Sequence, residues 1–454
     1  MELVVVVVLF ILIMIGLARP YIGMLALLVV MQLDPGELYP SLAPLHLERV
    51  VAGFVLIAFF LHGEKWRFPA PNRWLLAFYG AMILSIPLAF WRANSLASCV
   101  QFLEIIVYVM LATALLTTEL RIKWFILTFV LLTDWLGGSA LYNYTHGIWQ
   151  VRMNVDRAIG ITNTAGDPNT LALTLVASIP LAIALVVRPN PLWMRSIGIA
   201  SIAMSCVTIV DTGSRGGAAG IVFLIVLLLI RKPKNLIFLP VLIALSPIVW
   251  MAIPQQYKAR YETVNHLKSD ASYQERILSW EGGIAMFESN PITGIGTGNY
   301  TYGNGSKYWP GKGRKVWLDA HSLYFKLIGE LGLLGVFTFG GFVICVFRLN
   351  SRVRNELEER KASKFLQELP GLFSIIFYQL LFAGYASHDL YRSTWYIVGA
   401  MAASVSLLPI LQKSVSAEAS AHLDQNALPG LEGEWSSALL PDLHRQIPIL
   451  DPHA

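Results

Sequence analysis

The sequence has few charged residues: Asp, Glu, Lys and Arg make up only 14% of its 454 residues. A soluble domain averages about 25%. Hydrophobic residues make up 55%, and the mean hydropathy is +0.58. These values exclude a soluble globular protein and predict a polytopic membrane protein. The net charge of +5 does not require nucleic acid as a partner, because cytoplasmic loops of membrane proteins collect Lys and Arg.

Cysteine and paired acidic residues are also scarce. The three cysteines, Cys99, Cys206 and Cys345, all fall in apolar segments and support neither a disulfide nor a zinc site. No Asp-x-Asp pair occurs, whereas a metal-assisted transferase is expected to place acidic residues around its cation. We therefore expect a metal-free reaction and no cofactor.

Apolar segments long enough to cross a bilayer recur along the chain. They lie near residues 3–18, 21–33, 49–61, 74–91, 99–118, 123–143, 169–187, 196–210, 216–230, 236–253, 323–347, 370–387 and 393–411. Two are short, so we predict an all-α protein with 12 or 13 transmembrane helices. Its parts are an N-terminal transmembrane bundle (1–253), a large polar loop (254–322), C-terminal transmembrane helices (323–411) and a disordered tail (412–454).

Basic residues occupy alternate loops. By the positive-inside rule these loops face the cytoplasm, as does the C-terminus. The opposite, outer face then receives residues 146–168, 211–215, 254–322 and 388–392. Four separate connections are thus predicted to meet there.

Three motifs on that face contain groups suited to an anion or a base. Ser214 is a predicted N-cap, and Arg215 and Gly216 follow it in the first turn of the helix. The N-terminus of a helix attracts phosphate. The alternative is an ordinary cap beside a snorkelling arginine. Arg276 lies on a predicted amphipathic helix, and its alternative role is an ion pair with Glu275 or Glu281.

His321 ends the polar loop. A base near neutral pH can activate a hydroxyl nucleophile, and Asp319 could orient its ring; a purely structural histidine is the alternative. The glycine-rich stretch 290–300 lacks the Gly-Lys-Ser/Thr of a phosphate loop, so tight turning and close backbone packing explain its glycines better. Arg157, on these residues alone, is interpreted as a solvated loop residue.

In order and spacing these motifs resemble the O-antigen ligase and O-antigen polymerase superfamily, most closely its O-antigen ligase and O-glycosylation ligase branches. The residues concerned are Arg157, Asp167-Pro168-Asn169, Ser214-Arg215-Gly216, Arg276, Trp280, Asn290-Pro291, Gly294-Ile295-Gly296, Ala320-His321-Ser322-Leu323-Tyr324 and Gly329-Glu330-Leu331-Gly332. The likeness covers residues 20–410. Asp167 stands where the family often has Asn.

The resemblance implies a GT-C-like core and a metal-independent, inverting glycosyltransferase in the bacterial inner membrane. Such an enzyme moves a glycan from undecaprenyl diphosphate to an acceptor hydroxyl at the periplasmic face. His321 would be the base; Arg215, Arg276 and Arg157 would bind the diphosphate; Ser214, Gly216, Asp319 and Ser322 would support them.

Several functions stay open. The acceptor could be a lipid A-core glycolipid, another lipid-linked glycan, as in a polymerase, or Ser or Thr of an exported protein. A lipid or sugar transporter would instead place ionisable residues near the bilayer midplane, whereas the charges here lie at span ends. A structural membrane subunit would leave the outer arginines unexplained.

Overall fold

The computed structural model describes residues 2–152, 155–162, 166–262, 271–311, 315–387 and 389–411. The described residues up to Leu408 form one compact unit. The predicted tail, 412–454, lies outside the described residues, as does His388.

The described residues contain seventeen α-helices and one two-stranded sheet. The helices are α1 (Glu2–Ala18), α2 (Pro20–Leu33), α3 (Pro35–Leu38), α4 (Leu47–Leu61), α5 (Ala70–Ser85), α6 (Arg92–Leu115), α7 (Glu119–Thr145), α8 (Pro168–Val186), α9 (Leu192–Asp211), α10 (Arg215–Arg231), α11 (Leu239–Ala252), α12 (Gln255–Glu262), α13 (Ala271–Ser289), α14 (Tyr300–Asn304), α15 (Leu323–Glu359), α16 (Lys364–Gly384) and α17 (Ser393–Ser406).

Seven helical segments of the described chain are long and apolar enough to cross a membrane. They are Ala43–Leu61, Arg92–Leu115, Glu119–Thr145, Pro168–Val186, Leu192–Asp211, Leu323–Glu359 and Lys364–Gly384. Shorter apolar helices cover Val5–Ala18, Pro20–Leu33 and Lys234–Ala244. The chain is therefore a helical integral membrane protein. A helix also occupies each predicted span, but the count of 12 or 13 crossings stays a prediction.

Several helices begin where the sequence supplies a capping side chain. In each case a side-chain oxygen accepts a hydrogen bond from the backbone N–H three residues further on, which satisfies one donor of the first turn. The capping residues are Thr118, Asp167, Ser214 and Ser363. The prediction that Ser214 is an N-cap is confirmed.

Helices α8 and α17 form the centre of the bundle. Every residue of α17 from Thr394 to Val405 is buried, and α8 is buried from Leu171 to Leu185 except at one position. By contrast, α1 and α11 expose rows of valine, isoleucine and leucine, as expected for surfaces that contact lipid.

Helices α10 and α16 run antiparallel and define two ends of the bundle. Arg231, which ends α10, pairs with Glu368 near the start of α16 (Nη2 to Oε2, 2.7 Å). We call this the basic end. The opposite end, where α8, α10, α15 and α17 begin and α9 and α16 finish, we call the loop end.

The loop end includes a β-hairpin that the all-α prediction did not anticipate. Strand β1 (Trp149–Arg152) pairs antiparallel with β2 (Val155–Ala158), and Gln150 lies opposite Arg157. The hairpin orients the Arg157 side chain toward the starts of α8 and α10.

Residues 290–299, the glycine loop, pack into a break in α15. Gly332 interrupts this helix with φ 56° and ψ −152°. Leu333 and Leu334 donate their backbone N–H groups to the carbonyls of Pro291 and Ile292 (2.8 and 3.0 Å). The glycine loop thus replaces acceptors that an unbroken helix would supply.

Close packing explains the glycines of this loop, as predicted. Gly294, Gly296 and Gly298 all have positive φ (65°, 94° and 77°). A Cβ at Gly294 would lie 2.2 Å from the backbone carbon of Glu330. On its other side the loop accepts a hydrogen bond from Asn94 of α6 at the Gly298 carbonyl (2.7 Å).

Candidate functional site

The starts of α8 and α10 are joined by hydrogen bonds at the loop end. Asn169 Oδ1 accepts from both Ser214 Oγ (3.0 Å) and Arg157 Nη2 (2.8 Å). Arg157 Nε also donates to the Thr212 carbonyl (2.7 Å). Three predicted site segments, 157, 167–169 and 214–216, are therefore in direct contact.

The interpretation of Arg157 as a solvated loop residue is wrong. Its side chain has no solvent-accessible surface, because the hairpin places it under the α9–α10 turn. An arginine buried in this way fixes the turn that presents Ser214 and Arg215. It could reach a ligand only if the surrounding elements moved, so its assignment as a third diphosphate contact stays a prediction.

Arg215 is the first residue of α10 and is partly buried. Two contacts fix the register of α10 against α16: Arg231 with Glu368, and the Gly220 carbonyl with Gln379 Nε2 (3.1 Å). The same antiparallel register brings residue 215 level with Gly384, where α16 ends. A Cβ at Gly384 would lie 2.9 Å from Leu323 Cβ, so the end of α16 also contacts the start of α15.

Helix α13 holds the segment that contains His321. Ser279 Oγ donates to the Asp319 carbonyl (2.8 Å), and Trp280 Nε1 donates to the Ala320 carbonyl (3.0 Å). Arg276 precedes these two residues by three and four positions, so it shares their side of the helix. A helix is thus present where one was predicted, and one side of it anchors the backbone next to His321. That it is amphipathic and lies along the membrane interface stays a prediction.

His321 has a backbone conformation that is uncommon for a residue with a side chain. Its φ is +46°, in the left-handed region, and Ser322, next to it, is the N-cap of α15. The Ser322 side chain is buried, and its hydroxyl forms no hydrogen bond with the part of the chain that the structure describes. Histidine adopts this conformation more often than most residues do, and Asp34, His46 and Lys361 also have positive φ.

Asp319 forms an ion pair that sequence analysis missed. Its two carboxylate oxygens lie 3.1 and 3.2 Å from Lys326 Nζ, and Oδ1 also accepts from the Ala320 N–H (2.7 Å). Lys326 lies on the first turn of α15, seven residues away. The role of Asp319 in orienting His321 stays a prediction.

A buried carboxylate on α15 binds the end of the glycine loop and Tyr391. Glu330 accepts hydrogen bonds from the backbone N–H groups of Gly298 and Tyr300 (both 2.9 Å) and from the Tyr391 hydroxyl (2.6 Å). Burial, and then the adjacent Glu330 carboxylate, raises the pKa of Tyr391 well above its ordinary value, so that hydroxyl remains a donor. In the sequence, only the Gly-Glu-Leu-Gly motif indicated a role for Glu330, and no pattern indicated a role for Tyr391.

The loop end therefore contains two bonded groups. One joins Arg157, Asn169 and Ser214, with Arg215 next in the chain. The other joins Ser279, Asp319 and Lys326, with Arg276 three residues before Ser279 and His321 two residues after Asp319. The end of α16 contacts the second group, because Gly384 lies against Leu323 and Tyr385 packs against Trp280 (ring centroids 5.4 Å). By the register of α10 against α16, it is also level with residue 215. That Arg215, Arg276 and His321 act on one ligand stays a prediction.

No cofactor or metal ligand set stands out within the described ranges. No group of three or more His, Cys, Asp or Glu side chains there is placed to hold a metal ion. The cationic groups at this end suit an anion instead.

The fold and the site define a class: a helical membrane protein with arginines and a histidine at one end of its bundle. Comparison with known families narrows this class. The O-antigen ligase family model matches residues 199–340. This confirms the resemblance to the O-antigen ligase superfamily and supports a membrane glycosyltransferase of ligase or polymerase type. The matched stretch contains Arg215, Arg276 and His321; Arg157 lies before it. None of the curated proteins compared with the chain matches it.

Proposed function

We propose that this protein is an O-antigen ligase-like glycosyltransferase of the bacterial inner membrane. It would transfer a glycan from undecaprenyl diphosphate to an acceptor hydroxyl, with inversion at the anomeric carbon and the loop end in the periplasm. The family match over residues 199–340, which contains Arg215, Arg276 and His321, is the main support.

In the proposed reaction His321 takes the proton from the acceptor hydroxyl. The acceptor oxygen forms a bond to the anomeric carbon as the bond from that carbon to the diphosphate oxygen breaks. Undecaprenyl diphosphate leaves with the electron pair, and the proton remains on His321 until solvent removes it. The ring is suited to this role because the turn around it is held by Ser279 and Trp280.

Arg215 and Arg276 would stabilise the departing diphosphate. One guanidinium group can donate two parallel hydrogen bonds to phosphate oxygens. A helix N-terminus such as that of α10 adds backbone donors and a favourable dipole. Diphosphate is already a good leaving group, so a few such contacts suffice for charge stabilisation. Arg157 would position the α10 start, since it is fully buried against Thr212 and Asn169.

The acceptor class is tested by supplying one donor with three acceptors. Purified protein would be incubated with undecaprenyl-diphosphate-linked glycan and, separately, a lipid A-core glycolipid, a second lipid-linked glycan and a Ser/Thr-containing peptide. The ligase proposal expects product with the glycolipid. Product with the second glycan or the peptide would instead indicate a polymerase or a protein glycosyltransferase.

Transfer with none of the three acceptors, together with movement of lipid-linked glycan across proteoliposomes, would indicate a transporter. In that case His321→Ala would leave transport unchanged. A product formed by the parent protein and abolished by His321→Ala would support an enzyme.

A further inference from the structure

The basic end contains a second cationic region, far along α10 from Arg215. A cavity of about 1050 Å³ opens there between the end of α10, the last turns of α15 and the start of α16. Six cationic side chains line it: Arg231, Lys232, Lys234, Arg354, Lys361 and Lys364. The only carboxylates in its lining are Glu358 and Glu368, which leaves a formal excess of four positive charges.

Five of the six cations of this basic cavity fall into two groups; the sixth, Lys364, donates a hydrogen bond to Gln367 Oε1 (2.8 Å). Arg231 and Lys232 both pair with Glu368, and the Arg231 side chain is only 14% exposed. Gly371 makes this possible, because a Cβ there would lie 2.5 Å from the Arg231 guanidinium. These two residues close the inner wall of the cavity.

The second group faces the cavity without compensation. Lys234, Arg354 and Lys361 are exposed and form no ion pair with any residue that the structure describes. Lys234 comes from the segment after α10, whereas Arg354 and Lys361 come from the last turns of α15 and the turn that follows it. The general excess of Lys and Arg in cytoplasmic loops accounts for their number, but it does not account for their arrangement around one cavity.

The surface beside the cavity is apolar. Leu236, Ile237 and Phe238, in the same 3₁₀ helix as Lys234, are 47%, 75% and 59% exposed. Exposed apolar side chains next to unpaired cations match a molecule with acyl chains and an anionic headgroup. Basic pockets between helices at the cytoplasmic side of membrane proteins suit such headgroups.

We propose that the basic cavity binds the phosphate headgroup of an anionic phospholipid. Arg354 and Lys361 contact the phosphate, Lys234 lies at the rim, and the acyl chains lie along Leu236–Phe238. The site is separate from the loop end and does not depend on the transfer reaction.

The test compares lipid binding by full-length protein and two matched variants. Arg354→Gln with Lys361→Gln removes two cations from the cavity but keeps the Arg231–Glu368 pair. Lys65→Gln with Arg67→Gln removes two cations from the α4–α5 connection, also at the basic end but outside the cavity lining. Short-chain phosphatidylglycerol and phosphatidylcholine of equal chain length are titrated against each protein.

We expect phosphatidylglycerol to bind the parent at least about tenfold more tightly than phosphatidylcholine. Each basic residue near an anionic headgroup contributes about fivefold in affinity, so the cavity variant should lose about 25-fold. The Lys65/Arg67 variant and Arg354→Lys with Lys361→Arg should both bind as the parent does.

Two results would overturn the proposal. Equal losses in the cavity and Lys65/Arg67 variants would show a general charge effect. Displacement of phosphatidylglycerol by an equimolar amount of inorganic phosphate would show a phosphate site with no role for the lipid. Tm and elution volume are measured for every variant and identify any that is misfolded. If the double variant is misfolded, Arg354→Lys alone replaces it. We then expect parent-like binding, and a loss of binding would count against the proposal.

Discussion

The two ends of the bundle use the same residue types in opposite ways. At the loop end two charged side chains are buried and hydrogen-bonded: Arg157 and Glu330 have no accessible surface, and they take part in five hydrogen bonds, three with backbone and two with side chains. At the basic end Arg354 and Lys361 are exposed and unpaired among the described residues. The difference therefore lies in burial and not in residue type. Buried charged side chains hold the surrounding backbone in place, whereas exposed ones offer their charge to a ligand.

The difference follows from the cost of burying a charge. A buried ion or polar group is tolerated only when its hydrogen-bonding capacity is used, and a satisfied network then holds one arrangement. Glu330 holds the glycine loop against α15 in this way. Exposed cations carry no such requirement, so they can remain available to a ligand. Each of the following predictions compares a change at the loop end with a change of the same residue type elsewhere in the protein.

The largest effect is expected at histidine. His321→Ala should lower the rate of glycan transfer by about 10²–10⁴-fold, because a general base contributes that much. His62→Ala is the basic-end control; its ring bonds the Ala58 carbonyl within the last turn of α4 (2.9 Å). For both variants, the rate of glycan transfer from the lipid-linked donor is measured by the change in mobility of the product. Equal rates for the two variants would contradict the assignment.

Arginine should give the next largest contrast. Arg276→Ala and Arg215→Ala should each lower transfer about 10²–10³-fold, since each removes charge stabilisation of the leaving group. Arg354→Ala, at the basic end, should leave the rate unchanged within a factor of about two. The initial rate at saturating acceptor is the readout. A loss in Arg354→Ala as large as that in Arg276→Ala would remove the distinction between the ends.

The third contrast compares a glycine of the glycine loop with a glycine of α15. Gly294→Ala should destabilise the protein by at least about 2 kcal/mol, because alanine disfavours positive φ and its Cβ would overlap the Glu330 backbone. Gly340→Ala is the control: a Cβ there meets nothing within 4 Å, and alanine favours helix. Tm in detergent should fall for the first and hold or rise for the second. A similar Tm for both would show that the glycine loop is not tightly packed.

The smallest effect is expected at tryptophan. Trp280→Phe keeps stacking on Phe325 (5.1 Å) but loses the hydrogen bond to the Ala320 carbonyl. Transfer should fall about fivefold, because a neutral hydrogen bond contributes about 1 kcal/mol. Trp135→Phe, at an exposed position of α7, should have no effect. An unchanged rate for Trp280→Phe would show that α13 does not position His321.

Local patterns in the sequence predicted local structure well. Apolar runs predicted the helices, Ser214 was identified as a cap because it precedes two glycines and an apolar run, and closely spaced glycines predicted the tight turns of the glycine loop. Each of these features depends on a few neighbouring residues.

Long-range partners were not predictable. Glu330 contacts Tyr391 and Arg157 contacts Asn169 and Thr212 only because separate elements pack in one register, which no single segment encodes. The continuation of α15 to Glu359 was also missed, because its last turns are polar and an apolar criterion ends the span near Phe347. The break at Gly332 becomes evident only with the glycine loop in place.

The central claim is that the arginines of the loop end bind the donor diphosphate whereas His321 acts on the acceptor. The most direct test measures undecaprenyl diphosphate binding and glycan transfer on the same preparations of His321→Ala and Arg276→Ala. We expect His321→Ala to bind the lipid with parent affinity and fail to transfer, and Arg276→Ala to bind it weakly. Transfer at the parent rate by His321→Ala, or parent affinity in Arg276→Ala, would contradict this division of roles.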